Sequence, residues 1–234
     1  MADKENPSPG QAFPKTLSQS IYNYLKNSII NNELKANQRI NEKEIAGIFG
    51  VSTTPVREAV QRLGAEGFVK INFHREAVVK ETSYEELKEI FEVLGALDSV
   101  AAPIAVENLS PEKLKELEDL TKEMERHCSA RSLEKYLDLH VDMHNKIWDS
   151  IPNKFLKGLI RQVNDQMLRY KHARIHAFQK SGVHKKSLDE HKELIKALKT
   201  KDKRQLKTLM PKHWVSPLKS FSFKEGLNEY LSSQ

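Results

Sequence analysis

Histidine is the residue type whose spacing in this sequence suggests chemistry. Among nine histidines, His140 and His144 lie four residues apart in a helical segment, so their imidazoles project from the same side of one helix. His191 and His213 follow in two later helical segments. Imidazoles brought together from three helices can hold a divalent metal ion in the core of a bundle. Separate surface or core histidines would have the same spacing, and spacing alone favours them.

The sequence offers little support for an enzyme. His191-Lys192-Glu193 does not match the His-Glu-x-x-His motif of a metalloprotease, and the sequence has neither a phosphate-cradling glycine-rich loop nor a nucleophile elbow. A second pair, His172 and His176, has no other residues at ligand spacing, and we interpret both as surface residues. A metal-dependent hydrolase built on the other four histidines is the alternative to a binding protein.

Composition indicates a soluble globular protein of 234 residues with a net charge of +6. This mild basic excess permits nucleic-acid binding without establishing it. No stretch approaches the ~20 apolar residues of a membrane helix, and the polar segment 1–14 reads as a disordered leader and not as a secretory signal. The single cysteine, Cys128, allows no intrachain disulfide. We therefore expect a cytoplasmic protein without membrane contact.

Residues 15–80 have the element order of a winged helix-turn-helix. A helix starting near Thr16 is followed by a short helix capped by Asn41 and a third helix capped by Ser52. Gly67 ends that third helix. Two short strands, 68–71 and 77–80, then flank a polar tip.

Beyond Thr82 no strand pattern is present. Apolar periodicity predicts six helices, which together favour an all-α antiparallel bundle over residues 83–219. The expected fold class is therefore mainly α, with residues 220–234 as a C-terminal tail. The predicted helices are 83–108, 111–128, 131–151, 153–179, 187–199 and 202–219.

The third helix is the candidate recognition helix. Its first turn presents backbone N–H groups and short hydroxyls, which suit a phosphate. Arg57, one turn further, is long enough to bind the O6 and N7 atoms of guanine in the major groove. Any serine-capped amphipathic helix shares these features. Judged from the helix alone, an Arg57 that is merely solvated is as good an interpretation as one that contacts DNA. The order of elements around the helix favours a recognition helix.

Residues 17–80 resemble the GntR family of bacterial regulators. The resemblance rests on the acid-base-acid start Glu42-Lys43-Glu44 and on the turn and helix Val51-Ser52-Thr53-Thr54-Pro55-Val56-Arg57-Glu58-Ala59. It departs from the family at Thr53, where arginine is common, and at Glu76, where glycine is common. The resemblance implies that the following residues contact double-stranded operator DNA: Lys43, Ser52, Thr53, Thr54 and Arg57, and the wing-tip residues His74 and Arg75.

Residues 83–219 resemble the FCD domain, the helical ligand-binding half of one GntR subfamily. The matching segments are Met143-His144, Asn153-Lys154-Phe155-Leu156, Glu190-His191-Lys192-Glu193-Leu194 and Met210-Pro211-Lys212-His213. The resemblance implies a divalent-metal site formed by His144, His191 and His213. His140 stands where such domains carry Asp or Asn, which would give a site of four imidazoles suited to Zn²⁺ first and Ni²⁺ next.

Two departures concern the ligands of that domain. Pro211 is expected to kink its helix and could misplace His213. Many FCD domains bind an acidic effector through an arginine in the first bundle helix, where this chain has Leu94, with Asp98 one turn later. A carboxylate effector would then need another cation, for which Arg169 is the first candidate and Arg174 the second. Solvated helix charges are an equally good account of both.

The resemblance as a whole implies a homodimeric transcription repressor. Because one helix-turn-helix contacts only a half-site, two-fold operators require two-fold proteins. A small carboxylate bound near the metal would control operator binding. No catalytic activity is implied.

Overall fold

The computed structural model describes residues 17–72 and 76–233. The predicted leader, 1–14, and the wing-tip residues His74 and Arg75 lie outside the described residues.

The N-terminal domain contains three helices followed by a two-stranded antiparallel sheet. Strand β1 pairs with β2 in the register Val69↔Val79. This order confirms the winged helix-turn-helix. The elements are α1 (Leu17–Ile30), α2 (Glu42–Phe49), α3 (Thr53–Ala65), β1 (Val69–Ile71) and β2 (Ala77–Val79).

Local residue chemistry fixes where α2 begins and ends. The Asn41 side chain accepts hydrogen bonds from the backbone N–H groups of Lys43 and Glu44, which caps α2. Gly50 ends α2 in the left-handed region at φ 65°, a conformation that glycine adopts at little cost. Ser52 stands at the start of α3 without a side-chain capping bond, so its hydroxyl is not committed to that helix.

Only helices follow β2 in the described part of the chain. They form the second domain, whose core is separate from that of the first, and this confirms the mainly α class with a helical bundle. The helices are α4 (Tyr84–Asn108), α5 (Pro111–Arg126), α6 (Leu133–Asp149), α7 (Lys154–Leu168), α8 (Lys171–Ser181), α9 (His184–Lys199), α10 (Lys203–Val215) and α11 (Phe221–Ser232), with a 3₁₀ turn at Pro217–Lys219.

Two segments differ from the sequence prediction. The single helix predicted over 153–179 is broken at Arg169 and Tyr170, where both side chains bond to the chain segment that joins the two domains. The predicted tail, 220–234, instead forms α11, which packs on α8 and buries Phe223 and Leu227 completely. A short amphipathic helix after a proline-containing turn gave too little periodicity to be recognised.

Pro211 lies inside α10 without ending it, because the helix continues to Val215. Helix α10 packs closely on α4 at this point. A Cβ atom at Gly95 would come within 3.0 Å of the Pro211 Cα atom. The expected kink therefore does not remove His213 from the core, since the close α4–α10 contact holds that part of the helix in place.

Polar contacts join the two domains. The Arg169 guanidinium donates hydrogen bonds to the backbone carbonyls of Lys80 (3.3 Å) and Glu81 (2.8 Å) in the connecting segment. The Lys26 ammonium on α1 pairs with Asp165 on α7 at 2.6 Å. Polar contacts of this kind are typical of domains that can move relative to each other.

Candidate metal centre and DNA-binding surface

The structure brings the four predicted histidines together. His140 and His144 come from α6, His191 from α9 and His213 from α10, and all four side chains are buried. One ring nitrogen from each can be chosen so that all four lie within 4.8 Å of one another. The spacing of His140 and His144 on one helix face and the convergence of α9 and α10 produce this arrangement.

The distances within the cluster fit a metal centre. The Nε2 atom of His213 lies 3.4 Å from Nε2 of His140 and 3.4 Å from Nε2 of His144. Zinc–nitrogen bonds of about 2.0–2.1 Å in a tetrahedron place ligand atoms about 3.3–3.4 Å apart. The widest separation exceeds this edge, so a modest side-chain adjustment would close the site.

Outer contacts orient two of the imidazoles. The Nδ1 atom of His191 lies 2.6 Å from the Ser187 carbonyl oxygen, which can only accept, so Nδ1 carries the proton and Nε2 keeps its lone pair. His213 Nδ1 contacts a Glu190 carboxylate oxygen at 3.2 Å in the same manner. The buried Nε2 atom of His191 has no hydrogen-bond partner. Such outer acceptors are the usual means by which proteins direct imidazole nitrogens at a metal.

Asp98 is a third outer contact that sequence reasoning did not assign. Its fully buried carboxylate accepts hydrogen bonds from the indole N–H groups of Trp148 (2.6 Å) and Trp214 (2.7 Å). It also lies 3.5 Å from Nδ1 of His144, without a hydrogen bond among the described residues. The sequence feature that could have indicated this role is a carboxylate within the apolar pattern of α4, because a buried charge requires partners.

The environment of the cluster favours the neutral form of three of its imidazoles. Burial, followed by the neighbouring imidazoles, lowers the pKa of His140 and His191 well below the usual value. Burial also lowers the pKa of His213, although the hydrogen bond to Glu190 opposes this. Neutral imidazoles are the form that binds a metal ion, so the donor set fits a divalent cation.

Arg174 on α8 is a buried cation next to this cluster. Its residue is 4% exposed, and no ion pair involves it among the described residues. Burial lowers the pKa of Arg174 to about 10, and its Nε atom has no hydrogen-bond partner. The guanidinium lies over the rings of Phe91 and Phe178, 5.7 and 6.0 Å from their centroids. Its charge is near enough to contribute to the lowered pKa of His140.

Arg169 has different surroundings. Besides the two linker carbonyls, its guanidinium contacts Glu86 at 3.2 Å and Gln166 at 3.0 Å. Burial alone would raise the pKa of Glu86, but hydrogen bonds from Lys80 and Tyr170 and the charge of Arg169 lower it overall. The side chain of Arg169 is thus engaged between the domains.

Other residues singled out from the sequence lie away from the centre. His176 contacts Glu229 at 3.5 Å with a side chain that is 43% exposed, as expected for a surface residue. His172 is only partly exposed and lines a crevice between the domains.

The predicted DNA-contacting residues within the described range lie near the starts of α2 and α3, where Lys43, Thr53 and Arg57 line one surface cleft. Lys43, at the start of α2, and Ser52, Thr54 and Arg57, at the start of α3, are exposed, and Thr53 is half-buried. The Arg57 side chain pairs with Glu42 at 2.8 Å. Glu76, at the base of the wing, pairs with Arg39 at 2.8 Å, so its charge is partly neutralised.

Comparison with known families decides the identity of both domains. The sequence model of the bacterial regulatory proteins of the gntR family matches residues 17–79, and that of the FCD domain matches residues 89–216. The chain belongs to the gntR family of bacterial regulatory proteins. It is a helix-turn-helix transcriptional regulator with an FCD domain.

Several relatives that are named as regulators match most of the length of this gntR-family chain. YdhC, an HTH-type transcriptional regulator of Bacillus subtilis, is 28% identical over 83% of this chain and 86% of its own length. McbR, an HTH-type transcriptional regulator of Escherichia coli, is 27% identical over 84% of this chain and 89% of its own. RspR, an HTH-type transcriptional repressor of Escherichia coli, is 22% identical over 84% of this chain and 85% of its own. These relatives are regulators, in agreement with the expectation of a non-enzyme.

A solved structure has the same architecture. Escherichia coli McbR/YncC aligns with a TM-score of 0.72 at 25% identity and covers 87% of this chain and 95% of that one. None of the helices among the described residues is long and apolar enough to cross a membrane.

Proposed function

We propose that this gntR-family regulator is a cytoplasmic repressor whose operator binding is controlled by a small carboxylate bound beside a metal ion in the FCD domain. The observation that carries the proposal is the buried group of four histidines next to Arg174, a buried arginine that forms no ion pair within the described part of the chain. An unpaired buried cation is costly. A bound anion would remove that cost.

The four histidines would hold the metal through the ring nitrogens that face one another. We favour Zn²⁺, then Ni²⁺, because imidazole suits both and because Zn²⁺ tolerates irregular geometry. A bound divalent ion would supply positive charge that attracts a carboxylate oxygen. With His140 in place of the family's carboxylate ligand, the donor set is neutral and leaves more of that charge for the effector.

We assign the effector contact to Arg174 and not to Arg169, which reverses the order expected from the sequence. Arg174 has the burial and the unfilled hydrogen-bonding capacity of a ligand-binding group, and a guanidinium binds a carboxylate through two parallel hydrogen bonds. Arg169 instead fixes the interdomain segment. The two are linked, because α8 begins directly after Arg169 and Tyr170, and the Arg174 backbone N–H bonds to the Tyr170 carbonyl. A shift of α8 on effector binding would therefore reach the linker.

The dimer would form through α4 and α7, which pack side by side and carry exposed apolar side chains. Their exposed fractions range from 38% at Leu159 to 78% at Phe155, with Val93 at 46% and Val100 at 53% between. Exposed apolar surface shared by two neighbouring helices is typical of an interface. Light scattering should give about twice the chain mass, and a mass of one chain at micromolar concentration would contradict the dimer.

The repressor proposal is tested by gel shift with fragments of the host genome. Wild-type protein should retard a specific fragment, and one member of a panel of mono-, di- and tricarboxylates should release it. The Arg174→Met variant should bind the same fragment without release, because it retains the apolar stem and loses the cation. Specific binding without release by any carboxylate would refute the effector class, and the absence of specific binding would refute the operator function.

A further inference from the structure

The ion pair between Glu42 and Arg57 joins the first turn of α2 to the second turn of α3 in the candidate DNA-binding surface. The Nε atom of Arg57 on α3 lies 2.8 Å from Oε2 of Glu42 on α2. The Glu42 side chain is only 22% exposed, whereas the Arg57 side chain is 56% exposed. The carboxylate is therefore the fixed partner, and the guanidinium extends from it toward solvent.

Local structure holds Glu42 in this position. The Asn41 cap makes Glu42 the first residue of α2, and the left-handed Gly50 turns the chain so that α3 starts beside α2. Buried residues of the two helices, Ile45, Ala46 and Val56 among them, pack in the same core. The relation between the two side chains is thus set by two packed helices, of which α2 is capped, and not by a loop.

A guanidinium held through Nε has a defined orientation. Arginine has five N–H donors in a rigid plane, and pairing Nε with Glu42 leaves the two terminal nitrogens for a partner. The O6 and N7 atoms of guanine accept a planar pair of donors, whereas a phosphate can be met from many directions. Fixing the plane also reduces the side-chain entropy lost when DNA binds.

We propose that Glu42 is a positioning residue that sets base specificity by orienting Arg57 toward guanine. The proposal rests on the operator-binding function above. Glu42 itself carries a negative charge on a surface that meets phosphates, so it should weaken non-specific binding. It would favour the correct base and also disfavour contacts that depend on charge alone.

The chain offers a matched control in the same turn of α2. Glu44 is exposed and forms no ion pair among the described residues, so Glu44→Gln removes the same charge from the same surface without touching Arg57. Glu42→Gln keeps an oxygen that can accept from Nε, whereas Glu42→Ala removes the acceptor.

The experiment selects binding sites from a randomised duplex library with the full-length protein and its variants. We expect one guanine in the wild-type half-site whose preference disappears in Arg57→Ala. At that position the preference should fall about 3- to 10-fold in Glu42→Ala, given the usual size of a bidentate base contact. It should change less than 2-fold in Glu44→Gln, and Glu42→Gln should lie between the two. Adding Glu42→Ala to Arg57→Ala should cause no further change in the base preference at that position.

The outcomes separate this inference from the proposed function. If Glu42→Ala keeps the wild-type preference at the Arg57-dependent position, or lowers affinity equally for all sequences, the positioning role is wrong and the regulator remains. If Arg57→Ala leaves the selected site unchanged, Arg57 contacts no base and the inference also fails. If the wild type selects no sequence, the operator function itself fails. Circular dichroism and thermal unfolding establish that each variant is folded.

Discussion

The DNA-binding surface and the histidine centre are built in opposite ways. The candidate DNA contacts from Lys43 to Arg57 come from one continuous stretch of sequence, and most are exposed. The four histidines are contributed by three helices, from His140 to His213, and all are buried. The DNA-binding surface is local in sequence and exposed to solvent. The histidine centre is assembled by the fold and buried.

This difference predicts how each region responds to substitution. Exposed side chains away from a packed core contribute little to the free energy of unfolding, so the DNA surface can change without loss of the fold. Buried polar groups need partners, and the centre is tied to α9 through Ser187 and Glu190 and to α4 through Asp98. Changes at the centre should therefore affect ligand binding and stability together.

The largest expected effect is loss of metal from a double variant. Protein purified without a histidine tag should carry about one divalent ion per chain, and His144→Ala/His191→Ala should carry none, because two imidazoles rarely hold a metal alone. Elemental analysis after Zn²⁺ loading and dialysis measures this. Trp148 and Trp214, the chain's two tryptophans, both bond to Asp98, so intrinsic fluorescence provides a second readout on Ni²⁺ titration.

The matched control is Arg57→Ala, which should lose operator binding and keep the full metal content. A double histidine variant that retains its metal would show that these imidazoles have another role. A wild-type protein that stays metal-free after Zn²⁺ titration would show the same.

Local sequence patterns predicted the regions that are local in the fold. The capping residues Asn41 and Gly50 mark helix ends within a few residues, so the winged helix-turn-helix could be recognised directly. The histidine cluster could not be deduced from spacing, since the convergence of α6, α9 and α10 depends on packing throughout the bundle. The resemblance to a known domain supplied what spacing lacked.

Residues whose role depends on distant partners were the ones missed or misjudged. Asp98 accepts hydrogen bonds from two tryptophans that lie 50 and 116 positions away in the sequence. No sequence pattern near Asp98 indicates these partners. Arg169 and Arg174 are indistinguishable as helix charges, and only the fold shows that Arg169 contacts the linker while Arg174 is buried with no ion pair to any described residue.

A second prediction tests whether α11 belongs to the domain core. Phe223→Ala should lower the free energy of unfolding by about 3–5 kcal/mol, because it removes a fully buried aromatic ring packed against Phe178. Phe221→Ala, at a position 74% exposed, should change it by less than about 0.5 kcal/mol. Chemical denaturation of the two variants gives the comparison, and equal effects would mean that α11 contributes little to the core.

The smallest effect concerns acid stability of the metal-free protein. Burial lowers the pKa of His140, His191 and His213 in the folded chain, whereas in the unfolded chain these imidazoles take up protons near pH 6.5. Between these pKa values the unfolded state binds more protons, so the stability contribution is complete above about pH 6.5 and is lost as the pH falls. His140 and His191, whose pKa values lie well below the usual one, should then each remove about 1 kcal/mol from the free energy of unfolding between pH 6.5 and 5.5, and His213 should add to the loss in the same direction. Urea denaturation in the presence of a chelator should show this slope in the wild type and a shallower slope in His140→Asn/His191→Asn. Identical slopes in both proteins would mean that acid sensitivity arises from the carboxylates, and that the centre tolerates protonation even though it is buried.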